Sequence, residues 1–156
     1  MEVADGVHRF GTRMVNWYLI ERDGRLTLID AGMRGYWPQL TAALRDLGRK
    51  VEEVEAVVLT HAHAHLPGHT RGNCALHLAD ASVVFSGDAL VTFDPYRQRK
   101  GPRLLIKGVN EDNEQARASL EQLAELNARV LLPGHGEPWR DGVAAAVAEA
   151  RRNGYW

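Results

Sequence analysis

The stretch LTHAHAHLPGHT, residues 59–70, determines how this sequence is interpreted. Four of the chain's seven histidines fall within it: His61, His63, His65 and His69. The run from Val54 to Thr60 leads directly into these histidines, and it is β-branched without clear alternation of apolar and polar residues. That pattern is typical of a strand buried on both faces. The sequence therefore predicts a group of histidines at the C-terminal end of a buried strand.

Two further predicted strands are also followed by residues of types that commonly bind metal ions. The strand Ser82–Phe85 runs into Gly87 and Asp88, and the strand Val130–Leu132 runs into His135. Imidazole and carboxylate groups are the usual ligands of zinc and similar divalent ions, and strand ends hold such groups at fixed positions. A lone His-x-His pair in a loop is more often simply solvated, but three such strand ends together favour a metal site.

Six short stretches, taken together and in this order, resemble the metallo-β-lactamase superfamily. They are residues 16–20 (NWYLI), 28–32 (LIDAG), 59–64 (LTHAHA), 67–70 (PGHT), 85–88 (FSGD) and 132–136 (LPGHG). The resemblance implies an α/β (α+β) fold, an αββα sandwich of two mixed β-sheets with helices outside and a metal centre at one edge. Because 156 residues supply one ordinary core, we expect residues 1–156 to form a single domain.

The resemblance also implies a set of metal ligands. In chain order they are His61, His63, His69, Asp88 and His135. The three motif histidines would bind one ion, Asp88 would bridge to a second ion, and His135 would bind that second ion. Asp30 matches a residue that braces the histidine loop without binding metal itself.

The spacing of the motif differs from that of the family. Family members have tens of residues between the His-x-His pair and the Gly-His-Thr turn, whereas here His69 follows His63 after six residues. The chain therefore resembles a member that lacks an internal segment. Six residues span at most about 20 Å, which is ample for closing a loop around one zinc ion. The second site has lost two ligands, and His65 is a candidate substitute, so we expect one firmly held ion and a weaker or absent second ion.

The predicted chemistry is hydrolysis. Zinc held by three histidines lowers the pKa of its bound water to about 7, which provides a hydroxide nucleophile at neutral pH. Asp88 is the candidate catalytic residue, orienting or deprotonating this water. The expected substrate is a small molecule with an ester, thioester, lactone, lactam or phosphoester bond.

Two other interpretations stay open. One is a metal-binding scaffold without efficient catalysis. The other is a mononuclear iron enzyme resembling the family's persulfide dioxygenases, with His61, His69 and Asp88 as two-histidine, one-carboxylate ligands. Fe²⁺ and Mn²⁺ are therefore alternatives to Zn²⁺.

Composition and charge indicate which classes of binding partner and which cellular compartment to expect. The chain has 19 Lys and Arg against 20 Asp and Glu, so its overall charge favours neither nucleic acid nor an anionic membrane. Cys74 is the only cysteine, which fits a reducing compartment and predicts a cytoplasmic location. Loss of the internal segment should expose a sheet edge and apolar surface, so we expect a homodimer through that edge.

The remaining predicted elements complete the sandwich. Met14–Ile20 and Leu26–Ile29 should form a hairpin, Cys74–Leu78 a strand, and Leu90–Gly108 a long basic surface loop. Helices are predicted at Tyr36–Leu47, from Asn110 as N-cap to Leu126, and from Asp141 as N-cap to Asn153.

Overall fold

The computed structural model of the chain describes residues 1–33, 35–61, 74–110 and 112–153. In these ranges the strands are β1 (Glu2–Ala4), β2 (Val7–Gly11), β3 (Asn16–Arg22), β4 (Arg25–Ile29), β5 (Val54–Val58), β6 (Leu76–Leu78), β7 (Val83–Gly87), β8 (Val91–Asp94), β9 (Arg99–Arg103) and β10 (Val130–Pro133). The α-helices are α1 (Trp37–Asp46), α2 (Asn113–Ala124) and α3 (Val143–Arg152). Short 3₁₀ turns cover Val51–Glu53 and Lys107–Val109.

The first sheet has five strands in the order β1-β2-β3-β4-β5. Its first four strands are antiparallel, and the predicted β3–β4 hairpin is confirmed. Asp23 and Gly24 form its turn with φ of 50° and 76°, the left-handed backbone that matches the twist of a two-residue hairpin. After β4 the chain crosses through α1 and returns as β5, parallel to β4.

The second sheet has three strands in the order β10-β7-β6. The central strand β7 pairs in parallel with β10 and antiparallel with β6. All five residues of β7 are buried. A third pair, β8 with β9, forms an antiparallel hairpin.

Three apolar clusters define the layers. One lies between α1 and the five-stranded sheet, and another lies between the three-stranded sheet and helices α2 and α3. The third joins the two sheets and includes Tyr18, Ile29, Phe85 and Leu132. The order of layers is therefore helix, sheet, sheet, helices, and the predicted αββα fold class is confirmed.

Both later helices begin differently from the prediction. Asp112, not Asn110, is the N-cap of α2, because its carboxylate accepts hydrogen bonds from the backbone N–H groups of Glu114 and Gln115. Gly142, not Asp141, precedes α3. No side chain caps this helix; the N–H of Val143 instead donates to the Ala128 carbonyl.

The region 90–108 is not a simple loop, since it contains the β8–β9 hairpin. Strand β5 was predicted to be buried on both faces, and this is wrong: its three central residues are exposed, because β5 is the edge strand of its sheet among the described residues. Cys74 is also exposed and lies before β6 rather than within it. In the described part of the chain, no helix combines the length and apolar character required to cross a bilayer.

Candidate metal centre

Two pairs of parallel strands, one pair in each sheet, bring the candidate site residues together. In the first sheet β4 and β5 end side by side, so Asp30 lies next to Thr60 and His61. In the second sheet β7 and β10 end side by side, which places Asp88 next to His135. Because the sheets pack face to face, the two ends form one cluster. His61 Nε2 lies 3.6 Å from Asp88 Oδ2, although the two residues belong to different sheets.

The carboxylate of Asp88 is the centre of this cluster. Its side chain is only 1% exposed, and its Oδ2 faces two imidazoles, with His135 Nε2 at 3.2 Å and His61 Nε2 at 3.6 Å. Ligand atoms on one tetrahedral zinc ion, with bonds of about 2.0–2.1 Å, are separated by about 3.4 Å. The spacing of both pairs therefore fits ligands that share an ion.

Hydrogen bonding fixes the tautomer of His135. Its Nδ1 contacts the backbone carbonyl of Met14. A carbonyl only accepts, so Nδ1 carries the hydrogen, and Nε2 of the neutral ring presents a lone pair to Asp88.

The same logic applies to His61 through a short chain of side chains. The Thr60 hydroxyl donates to Asp30 Oδ2 at 2.8 Å and lies 2.9 Å from His61 Nδ1. Since its single hydrogen is used by Asp30, the hydroxyl accepts from His61 Nδ1–H. Asp30 also accepts the Thr60 backbone N–H at 2.8 Å. His61 Nε2 is thereby left with a lone pair directed toward Asp88.

An imidazole lone pair that faces a carboxylate is unfavourable, and either a proton on Nε2 or a metal ion between the two groups relieves it. Burial of His135 alone would lower its pKa, but the hydrogen bond and the charge of Asp88 act in the opposite direction and raise the pKa above its ordinary value. A divalent metal ion would interact with the same Asp88 carboxylate and imidazole nitrogens, and it carries more charge than a proton. The spacing of His61 from Asp88, and of His135 from Asp88, therefore suits an ion shared by each pair.

Gly134 permits the close approach of Asp88 to the β10 end. A Cβ atom added at Gly134 would overlap Asp88 Oδ1 and would lie 3.2 Å from the Gly87 carbonyl oxygen. Any other residue at this position would displace the carboxylate from the imidazoles. The glycine of the Pro-Gly-His-Gly sequence therefore has a steric role beside the ligands.

The remaining predicted ligands, His63, His65 and His69, lie outside the described residues. Within the described ranges, no group of three or more His, Cys, Asp and Glu side chains is arranged to hold a metal ion. These ranges provide two ligand pairs that share Asp88, His61 with Asp88 and His135 with Asp88. His77 is exposed on β6.

Several residues that support the site were not identified from the sequence. Met14 supplies the carbonyl that orients His135, and Thr60 connects Asp30 to His61. Asn16 is 2% exposed and bonds to the loop that carries His135. One signal for Asn16 was present: it is a polar residue at the head of the apolar run Trp17–Ile20.

Known proteins similar to this chain include metal-binding ones. The probable metallo-hydrolase YflN of Bacillus subtilis (strain 168) is 36% identical over 81 residues, a region that covers 46% of this chain and 30% of YflN. This chain thus aligns with less than a third of that relative's length.

Solved structures show the same fold at low identity. The metallo-beta-lactamase family protein TTHA1429 from Thermus thermophilus superposes with a TM-score of 0.70 at 19% identity, covering 96% of this chain and 79% of that one. TTHA1623, solved in a di-iron-bound form, gives a TM-score of 0.61 at 21% identity, covering 92% of this chain and 96% of that one.

The family model for the metallo-beta-lactamase superfamily matches in two pieces, residues 10–64 and 64–135. The pieces meet at residue 64, between the His-x-His pair and the Gly-His-Thr turn, where the spacing of the motif indicates a missing segment. Together they cover most of the chain, including Asp30, His61, Asp88 and His135. The chain belongs to the metallo-beta-lactamase superfamily.

Proposed function

We propose that this protein is a metal-dependent hydrolase that acts on a small molecule with an ester, thioester, lactone, lactam or phosphoester bond. The observation that carries the proposal is the buried Asp88 carboxylate, which faces the Nε2 atoms of His61 and His135 at 3.6 and 3.2 Å. Membership of a superfamily of metal-binding proteins, mostly hydrolases, supports it.

The proposed ligands of the primary ion are His61, His63 and His69. Asp88 and His135, with His65 as a further candidate, would bind a weaker second ion. We propose zinc as the resident metal, because imidazole nitrogen and carboxylate oxygen suit it. The chemistry that such an ion supplies is polarisation of a substrate oxygen and activation of water at neutral pH.

The protein's own residues would orient the reactants. Asp88 is the candidate group that holds and deprotonates the attacking water, because its carboxylate faces both imidazoles. Asp30 and Thr60 keep His61 in the Nδ1–H form, and the Met14 carbonyl does the same for His135. Both Nε2 atoms are thus available as ligands before any ion binds.

The test combines metal content with turnover. We expect about one equivalent of zinc per chain after purification in zinc, and hydrolysis of a generic ester or phosphodiester that a chelator abolishes and zinc restores. Asp88→Asn retains the shape but loses the charge, so it should lower turnover and should weaken the second ion more than the primary ion. Less than about a tenth of an equivalent in the wild type would contradict the metal site. Zinc binding without turnover of any substrate class would favour the scaffold interpretation.

Matched controls separate the site from general damage. Asp94→Asn removes the charge of another buried carboxylate, whose Oδ1 accepts the backbone N–H groups of Tyr96 and Arg97. His77→Ala removes an exposed histidine on β6. Both variants should retain wild-type zinc content. An equal loss of zinc in Asp94→Asn and Asp88→Asn would contradict a specific role for Asp88.

An iron enzyme is the second candidate function. The observation that favours it is the similarity of fold to TTHA1623 in its di-iron-bound form. A two-histidine, one-carboxylate ligand set is also suited to ferrous iron. Protein purified without added zinc distinguishes the two: bound iron with an optical or magnetic signal would support the iron enzyme, and zinc alone would support the hydrolase.

A further inference from the structure

Every carbonyl in the segment Pro133-Gly134-His135-Gly136 accepts a hydrogen bond from outside the segment. The Pro133 oxygen accepts from Asn16 Nδ2 at 2.8 Å and from the Tyr18 hydroxyl at 2.7 Å. The Gly136 oxygen accepts from Asn16 Nδ2 at 2.7 Å and from Arg9 at 3.1 Å. The Gly134 oxygen accepts the Asn16 backbone N–H at 2.8 Å, and the His135 oxygen accepts the Thr92 N–H at 3.1 Å. The segment is therefore held on all sides.

Asn16 makes three of these contacts, to the carbonyls that flank His135 on both sides. It lies on β3, in the opposite sheet from β10, so its bonds join the two sheets at the site. Its carboxamide orientation is also fixed, because Oδ1 accepts from Arg9 Nε at 3.0 Å and Nδ2 must then face the segment. The Arg9 guanidinium is held in turn by Glu137.

We infer that Asn16 is the positioning residue that holds His135 against Asp88, with Arg9 fixing the orientation of the Asn16 amide. The His135 backbone follows β10 and belongs to no strand, so the neighbouring carbonyls set the direction of its side chain. Two of those carbonyls converge on the single Asn16 amide nitrogen. For its metal-binding consequence this inference rests on the proposed function.

The variant Asn16→Asp tests the amide without changing its shape. A carboxylate would still pair with Arg9, but it would place an acceptor oxygen against the carbonyls of Pro133 and Gly136. Asn153→Asp is the matched control, because Asn153 Nδ2 also donates to a backbone carbonyl, that of Pro102 at 3.0 Å, beyond the C-terminal end of α3.

The first measurement is amide hydrogen exchange in the metal-free protein. The N–H groups of Gly134 and Gly136 donate to the carbonyls of Gly87 and Arg13, and they report whether the segment stays in place. We expect both amides to exchange at least about tenfold faster in Asn16→Asp and at the wild-type rate in Asn153→Asp. Unchanged exchange in Asn16→Asp would overturn the inference.

The second measurement is zinc binding at a temperature where each variant is folded. Asn16→Asp should weaken the ion that involves His135 by about 10–100-fold and should leave the other ion nearly unchanged. A general loss of packing would instead lower the melting temperature without this selectivity. Equal weakening of both ions, or of neither, would contradict a positioning role for Asn16.

A second variant decides the matter if Asn16→Asp does not fold. Arg9→Lys keeps a positive charge opposite Glu137 but cannot bond Asn16 Oδ1 and the Gly136 carbonyl at once. We expect a smaller increase in exchange at Gly136, about threefold or more, because local opening becomes easier by the net contribution of one hydrogen bond. No increase would refute the role of Arg9. If the wild type binds no zinc, the proposed function fails, whereas the exchange data still decide whether Asn16 holds the segment.

Discussion

Strands β5 and β7 are alike in length and in their position before the candidate site, but they lie in opposite environments. Both have five residues, both begin with valine, both pair in parallel with a neighbour, and both lead into a candidate metal ligand. All five residues of β7 are buried, whereas the central three of β5 are exposed, with Val57 at 56%. The cause is position: β7 is the middle strand of its sheet, and β5 is an edge strand among the described residues.

The comparison shows that two kinds of support hold the ligands. Asp88 follows a strand enclosed by packing on both faces, so the core itself positions it. His61 follows an exposed strand, and the hydrogen bonds through Thr60 to Asp30 hold it instead. Damage to packing should therefore affect Asp88, and damage to hydrogen bonding should affect His61.

The largest effect is expected from the same truncation made in both strands. Val84→Ala in β7 removes two methyl groups from a fully buried side chain and should lower the free energy of unfolding by about 2 kcal/mol. Val57→Ala in β5 should change it by less than about 0.5 kcal/mol. Urea unfolding of both variants gives the two values. Equal losses would mean that the Val57 side chain is enclosed as fully as that of Val84.

A loss of similar size is expected where β7 and β10 end. Gly134→Ala forces a methyl group against Asp88 and should cost about 1–3 kcal/mol of unfolding free energy together with zinc affinity. Gly108→Ala is the control, because no atom lies within 4 Å of a Cβ there. Denaturation and zinc titration of the pair check this. Wild-type affinity in Gly134→Ala would show that Asp88 tolerates displacement.

At the end of β5, Thr60→Val removes the hydroxyl between Asp30 and His61. The unfolding free energy should fall by about 1 kcal/mol, and zinc should bind about tenfold more weakly because the His61 ring loses its tautomer control. Thr41→Val removes an exposed hydroxyl that bonds the carbonyls of Trp37 and Pro38 in α1, and should leave zinc affinity unchanged. A calorimetric titration that gives equal affinities for both variants would remove Thr60 from the site.

The last prediction concerns the oligomeric state, and we expect its variant to change the mass of the assembly more than the unfolding free energy of the chain. We expect β5 to pair antiparallel with β5 of a second copy around a two-fold axis at Val57. In this register Glu55 of one copy lies opposite Leu59 of the other, so the two Glu55 carboxylates do not face each other. Val57 and Leu59 are 56% and 52% exposed. Substituting both with lysine should convert a dimer into a 17.3 kDa monomer, as measured by light scattering. A monomeric wild type would refute the dimer.

Local patterns made much of the fold predictable. Helix α1 follows from the helical spacing of Leu40, Ala43 and Leu44, all of which are buried. The β3–β4 hairpin follows from two apolar runs around a polar turn. Strands β1 and β2 were missed because they are short, although Asp5-Gly6 between them is itself a hairpin signal. The β8–β9 hairpin was missed because Pro, Gly and basic residues obscure its alternation.

The types of candidate metal ligand could be predicted from the sequence, whereas the residues that orient those ligands largely could not. His61, Asp88 and His135 each follow a strand, so their chemistry is visible in the sequence. The partners Asn16 and Met14 precede or begin β3, more than a hundred residues before the His135 segment that they hold. Such contacts depend on how two sheets pack, and no local pattern encodes that.

The ends of the interval between β5 and β6 are held together by a bond from the Cys74 N–H to the Thr60 carbonyl at 2.9 Å. Because the two ends of this interval are hydrogen-bonded to each other, residues can be inserted between them without moving either strand. Each doubling of such a loop costs only about 0.6 kcal/mol of closure entropy. Interval 61–73 is therefore the natural place for the superfamily to gain or lose whole segments, and a graft of tens of residues there should leave Asp88 and His135 where they are.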